Sequence, residues 1–195
     1  MKKLTNEQIK QLAIQHGIEY ACLKAVVEVE ASGDGFIGEL PKILYEPHIM
    51  HRLLTKKNYI TIRNNLMKAH PNLCYPRWGT YKYGAESIQH KRLEIASQFN
   101  HDTALESCSW GLGQVMGFHW KSLDYESLQA FINDMYESEA KQLEAMVRFI
   151  KTNGLLIHLK NKDWVRFAKG YNGSGYAKNN YHIKLANAYN KYKGA

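Results

Sequence analysis

Cysteine is scarce in this chain and nowhere paired by spacing: Cys22, Cys74 and Cys108 are odd in number, far apart, and form no C-x-x-C. A disulfide framework is thereby excluded, and three reduced thiols filling core positions are expected. No apolar run reaches the roughly 20 residues that a membrane span needs. The opening Met1-Lys2-Lys3-Leu4-Thr5-Asn6-Glu7 turns polar at once and carries no signal-peptide core, so a soluble protein that is not exported by the usual route is expected. Internal repeats, low-complexity tracts and linkers are missing too. With 45% hydrophobic residues the chain can build a sizeable core, and a single domain over residues 1–195 is the expectation.

Acids are the last scarcity, and a local one. From Leu155 to Ala195 there are eight Lys or Arg against one acid, Asp163, so the last fifth of the chain carries nearly all of the net charge of +8. Such a stretch attracts nucleic acid, acidic lipid or an envelope polymer alike, and charge does not choose among them. No zinc-finger, helix-turn-helix or RNP signature is present, so nucleic-acid binding stands only as an alternative, marked by salt-sensitive DNA binding.

What is present is mostly helical patterning. Thr5 and Gln8 form a T-x-x-Q capping box, and Gly17 ends the first helix. A second helix is predicted over 18–31, closing in the turn Ser32-Gly33-Asp34-Gly35. Lys42 to Tyr45 reads as a short strand or extended segment, and Glu46-Pro47 opens a helix through Leu54. Further helices are predicted near Thr61–Ala69, Ala85–Phe99, from Asp102, at Tyr125–Met135 and at Ser138–Thr152. An aromatic loop, Asn72 to Gly84, interrupts them. Asp163 should cap a helix with Trp164, Phe167, Ala168 and Tyr171 inside, and a basic helix should run from Asn179 to Lys193.

One carboxylate stands out. Leu23, Val26, Val27 and Glu30 stand at i, i+3, i+4 and i+7, so Glu30 continues an apolar stripe. Burial and the negative end of the helix dipole both raise a carboxyl pKa, as a general acid requires. A helix-end Glu that snorkels to solvent explains the same pattern. Glu28 falls off the stripe and reads as a solvated partner of Lys24. His48 and His51 are one turn apart without a third placed ligand, so no metal or other cofactor is expected.

Taken in order, Val29-Glu30-Ala31-Ser32 with Gly35-Phe36, Ile43-Leu44-Tyr45-Glu46-Pro47-His48, Trp110-Gly111-Leu112-Gly113-Gln114-Val115-Met116-Gly117, Trp164-Val165-Arg166-Phe167-Ala168 and Tyr171-Asn172-Gly173 form a set. This set resembles the N-acetylmuramidase domain of bacteriophage endolysins, in the lysozyme superfamily, over about Gln8 to Tyr189. The resemblance implies a mainly α, lysozyme-like helical fold, with a small β-hairpin or extended segment near residues 36–46. It also implies cleavage of the bond between N-acetylmuramic acid and N-acetylglucosamine in bacterial peptidoglycan.

Residue by residue, it makes Glu30 the general acid, although the family's usual Glu-Ser is here Glu30-Ala31, which leaves Glu28 as a minor alternative. Glu46 becomes the candidate second carboxylate, with a dipole-favoured helix-start acid as its other explanation. Tyr45, His48, Trp110, Gln114, Tyr171 and Asn172 become candidate substrate contacts, with Trp78 and Tyr81 as further aromatic surfaces. An inverting pair would place the two carboxyls about 6.5–9.5 Å apart. A lytic transglycosylase, using Glu30 alone and ending in an anhydro sugar, is the alternative on the same bond. The expected protein is a monomer that accumulates in the host bacterial cytoplasm before release to the wall, with no nucleic acid bound; its basic end either meets anionic outer-membrane or wall surfaces or is a packed terminal helix with a solvated basic face.

Overall fold

Thr5 caps the first helix, α1 (Asn6–Gln15), by the reciprocal pattern the sequence calls for: the Gln8 amide donates to Thr5 Oγ1 and the Thr5 amide to Gln8 Oε1. At its far end Gly17 takes φ +60°, its amide donates to Ile14 and the Ile18 amide to Ala13. That closure needs a left-handed residue, which glycine adopts without strain. Because Ile18 is spent on it, the second helix, α2 (Tyr20–Glu30), begins two residues later than the pattern predicts, and Glu30 is its last described residue. The computed structural model describes residues 2–30 and 33–194. Ala31, the last residue of the predicted second helix, and Ser32, the first of the predicted glycine-rich turn, lie outside the described residues, as do Met1 and Ala195.

The contacts gather into two units, Met1–Gly35 with Glu137–Ala195, and Phe36–Tyr136. The second unit opens with an antiparallel hairpin, β1 (Phe36–Ile37) against β2 (Leu40–Pro41), with Phe36 opposite Pro41. Then come β3 (Ile43–Tyr45), α3 (Pro47–Lys56), α4 (Ile60–Ala69), a long aromatic loop, α5 (Gln89–Ser97), α6 (His101–Glu106), β4 (Cys108–Trp110), β5 (Val115–Met116) and α7 (Leu128–Glu137). The sheet order is β3-β4-β5, antiparallel throughout, with Tyr45 opposite Cys108 and Trp110 opposite Val115. Periodicity does not announce β4 or β5, because two or three residues cannot display an alternation. Gly117 follows them where a Cβ would come within 2.4 Å of the Leu105 carbonyl oxygen, so only glycine lets the chain pass. The start of α7 also shifts: Tyr125 is buried in the preceding turn, and Ser127 receives the Ala130 amide as the helix opens.

The chain then returns to the first unit. Ser138 caps α8 (Glu139–Thr152), whose stripe Leu143, Met146, Val147 and Ile150 is completely buried. A short α9 (Leu156–Lys160), too brief to show a period, leads to α10 (Trp164–Asn172), capped by Asp163 through the Arg166 amide. The last helix, α11 (Tyr181–Tyr192), packs along α2 and buries Leu185 and Ala188. Cys22, Cys74 and Cys108 are free and buried, and burial pushes the Cys22 thiol up to about 11 and the Cys74 thiol up to about 12. They are inert packing thiols. No helix among the described residues is long and apolar enough to cross a membrane.

Candidate active site

In the first unit the end of α2 meets the end of α10. The Asn172 amide donates to Glu30 Oε2 at 2.8 Å. Glu30 Oε1 and Asn172 Oδ1 are both buried without a hydrogen-bond partner. An orphaned carboxylate oxygen away from water favours the protonated form, which supplies its own O–H. Desolvation accordingly raises the Glu30 pKa above the ordinary carboxylate value, opposed by the Asn172 hydrogen bond and by the positive charge of Lys184.

Tyr171, the neighbour of Asn172, lies in an aromatic stack, parallel to Phe167 and edge-on to Phe149, each with ring centroids 5.7 Å apart. Burial, and secondarily the Glu30 charge, push its phenol pKa up, so Tyr171 stays protonated. Glu28 has a different fate. It is exposed, it accepts from Lys191 at 2.9 Å and from the Tyr192 hydroxyl, and these bonds lower its pKa. It is an ionised surface group whose partner is Lys191, whereas Lys24 donates to Asn6 instead.

The turn that follows Glu30 is anchored by a residue that sequence reasoning passes over. Glu139, only 4% exposed, accepts from the Gly35 amide at 2.8 Å and from the Leu4 amide at 2.7 Å. Gln142 adds a bond to the Gly35 carbonyl at 3.2 Å. A Cβ on Gly35 would fall 2.0 Å from Gln142 Oε1. Within the sequence, Glu139 looks like any acid in the first turn of a helix, where the dipole favours it.

The second unit holds the other carboxylate. Glu46 stands immediately before α3, but its side chain caps no amide of that helix. It accepts instead from the Tyr83 hydroxyl and lies 3.3 Å from His48 Nδ1. Burial lowers the His48 pKa, with Glu46 opposing, and burial together with Glu46 raises that of Tyr83. Tyr83 had no signal beyond membership of the aromatic loop.

Gln114 sits in the β4–β5 connection with φ +48°, a conformation that costs a non-glycine residue about 1–3 kcal/mol and is tolerated where the surroundings hold it. Its side chain is fixed from both ends: Ser109 Oγ donates to Oε1 at 2.8 Å and Nε2 donates to the Gly111 carbonyl at 2.9 Å. One amide hydrogen and one acceptor lone pair remain for a ligand. The Gly111 amide donates to the Lys42 carbonyl at 2.7 Å, so the turn holding Gln114 lies at the Lys42 end of β3, whereas Glu46, whose amide donates to the Ser107 carbonyl at 2.9 Å, lies at the other end.

Two of the expected aromatic contacts are elsewhere. Tyr45 has no exposed surface, and its hydroxyl donates to the Leu73 carbonyl at 2.8 Å. Trp110 is likewise buried, its indole N–H donating to Leu105. Both inner faces of the sheet strands are thus core, with no ring face left for a sugar. Trp78, by contrast, is 72% exposed, and Tyr81 packs edge-on against Tyr75 in the same loop. Among the described residues no group of three or more His, Cys, Asp or Glu is placed to hold a metal ion.

A family model described as N-acetylmuramidase matches residues 19–193. The chain belongs to the N-acetylmuramidase family. This muramidase is therefore a glycoside hydrolase of the lysozyme type that acts on peptidoglycan. Its fold is shared with the crystal structure of the Burkholderia AP3 phage endolysin, at a TM-score of 0.91 and 40% identity, over 100% of this chain and 73% of that one. A search of the curated proteins finds no significant match. The ordered motif set, the helical fold with its small antiparallel sheets and the family thus agree.

Proposed function

We propose that this muramidase is an endolysin in which Glu30 is the general acid and Glu46 the second carboxylate, with residues 1–195 forming one catalytic domain. The single observation that carries the assignment of Glu30 is its buried, unpartnered Oε1 at the end of an apolar helical stripe. In this reading the Glu30 proton passes to the bridging oxygen as the bond from that oxygen to the muramic anomeric carbon breaks. A water oxygen bonds that carbon from the opposite face while Glu46 takes the water's proton, and exchange with solvent resets both carboxyls. Tyr83 and His48 support Glu46 in this role by fixing its orientation. Gln114, Tyr171 and Asn172 are proposed to position the sugars.

The basic C-terminal stretch is proposed to draw the enzyme, as a monomer without nucleic acid, onto anionic wall or outer-membrane surfaces. The route proposed is accumulation in the host cytoplasm and release when the membrane is opened. Mass spectrometry of digested peptidoglycan tests the chemistry: products heavier by one water, with an inverted anomeric centre and a digestion rate that falls with added salt, are expected. Anhydro-muramic products would replace Glu46 and water by a transglycosylase course using Glu30 alone.

A further inference from the structure

Next to Glu30 in sequence and in space, α2 and α11 leave an open groove of about 430 Å³, lined by Glu28, Val29, Lys184, Asn187, Ala188 and Lys191. Its charges are not equivalent. Lys191 is paired with Glu28, which also accepts from the Tyr192 hydroxyl. That pair is neutral. Lys184 is exposed and has no carboxylate partner among the described residues; its ammonium rests 5.4 Å from the Tyr181 ring centroid. The groove therefore presents one uncompensated cation and the Asn187 amide above a floor of Val29 and Ala188.

We propose that this groove is a binding site for a carboxylate of the peptide carried by muramic acid, with Lys184 as the cation and Asn187 as a hydrogen-bond donor. The proposal rests on the reading of Glu30 as the acid. In peptidoglycan the lactyl carboxyl of muramic acid is tied up in the amide bond to the peptide, so the anionic groups that lie near the cleaved bond are the carboxylates of that peptide. The Lys184 charge is close enough to act on Glu30. A carboxylate seated on Lys184 compensates that charge and leaves the Glu30 proton easier to retain until it is transferred.

The test compares soluble glycan strands bearing their peptides with the same strands whose peptide carboxylates are capped as neutral amides, which leaves the lactyl–peptide bond intact. Lys184→Ala should raise the KM for strands with free peptide carboxylates relative to capped ones by about fivefold, the effect of one solvent-exposed ion pair. Lys184→Arg should restore the wild-type ratio. Lys10→Ala, which removes one exposed charge from α1, should leave that ratio as in the wild type. Equal changes on both substrates in Lys184→Ala would overturn the proposal and assign the charge to Glu30 alone. Cleavage of both substrates by Glu30→Gln within tenfold of the wild-type rate would instead overturn the reading of Glu30 as the acid.

Discussion

Glu30→Gln should lower peptidoglycan cleavage by about a thousandfold, within the range a positioned proton donor contributes, while the thermal midpoint stays the same or rises. The amide is nearly isosteric with the carboxyl and its oxygen can still accept from Asn172 Nδ2, so the contact between the ends of α2 and α10 survives. What disappears is the transferable proton. Stability should not fall, because the native acid is desolvated on an apolar stripe, where its charged form is disfavoured. Sites of this kind commonly trade stability for activity, and relieving the burden gives some of it back. Turbidity clearance of purified walls and a thermal melt of the same preparation read both effects. A variant that unfolds, or one that clears walls within tenfold of the wild-type rate, contradicts the assignment.

Glu139→Ala should be among the most destabilising single substitutions in the first unit, at about 3–5 kcal/mol by urea unfolding. The estimate follows from two backbone amides, those of Leu4 and Gly35, each giving a hydrogen bond to one carboxylate worth about 1.5–3 kcal/mol. Removing the acceptor leaves the buried Gly35 amide without it, and the emptied volume adds a cavity. For a chain of this size that loss corresponds to a fall of roughly 10 °C in Tm. Glu139 also joins the start of the chain to α8, since its amide donates to the Lys2 carbonyl. A loss below about 1 kcal/mol would mean that the N-terminal segment and the turn after Glu30 are held by something else.

These two residues mark what the sequence discloses and what it does not. Glu30 is visible because a charge on a helical stripe violates the pattern around it, and the stripe extends over only a few local residues. Glu139 obeys every local rule, and its importance lies in partners 104 and 135 residues away. The capping box of α1, the Pro47 start of α3 and the Asp163 cap of α10 are likewise local and appear where expected. The strands β4 and β5 are not, because they exist only as pairings with β3 and each other. Tyr45 and Trp110 show the other limit. A motif fixes where an aromatic stands along the chain, whereas the face it presents depends on the sheet register, and here the register turns both rings inward. Tyr83 could be found only from its contact with Glu46, since one tyrosine among several in a loop carries no distinguishing spacing.

The central claim is that Glu30 holds a proton at a pH where ordinary carboxyls have lost theirs. A carbon-13 NMR titration of glutamate-labelled protein, with the Glu30 carboxyl signal assigned by its loss in Glu30→Gln, measures this directly. The account predicts a midpoint above the roughly 4.3 of an unperturbed glutamate, coinciding with the alkaline limb of the cleavage rate, which falls as the proton is lost. A midpoint at or below that value, or a rate limb that ignores it, would contradict the account.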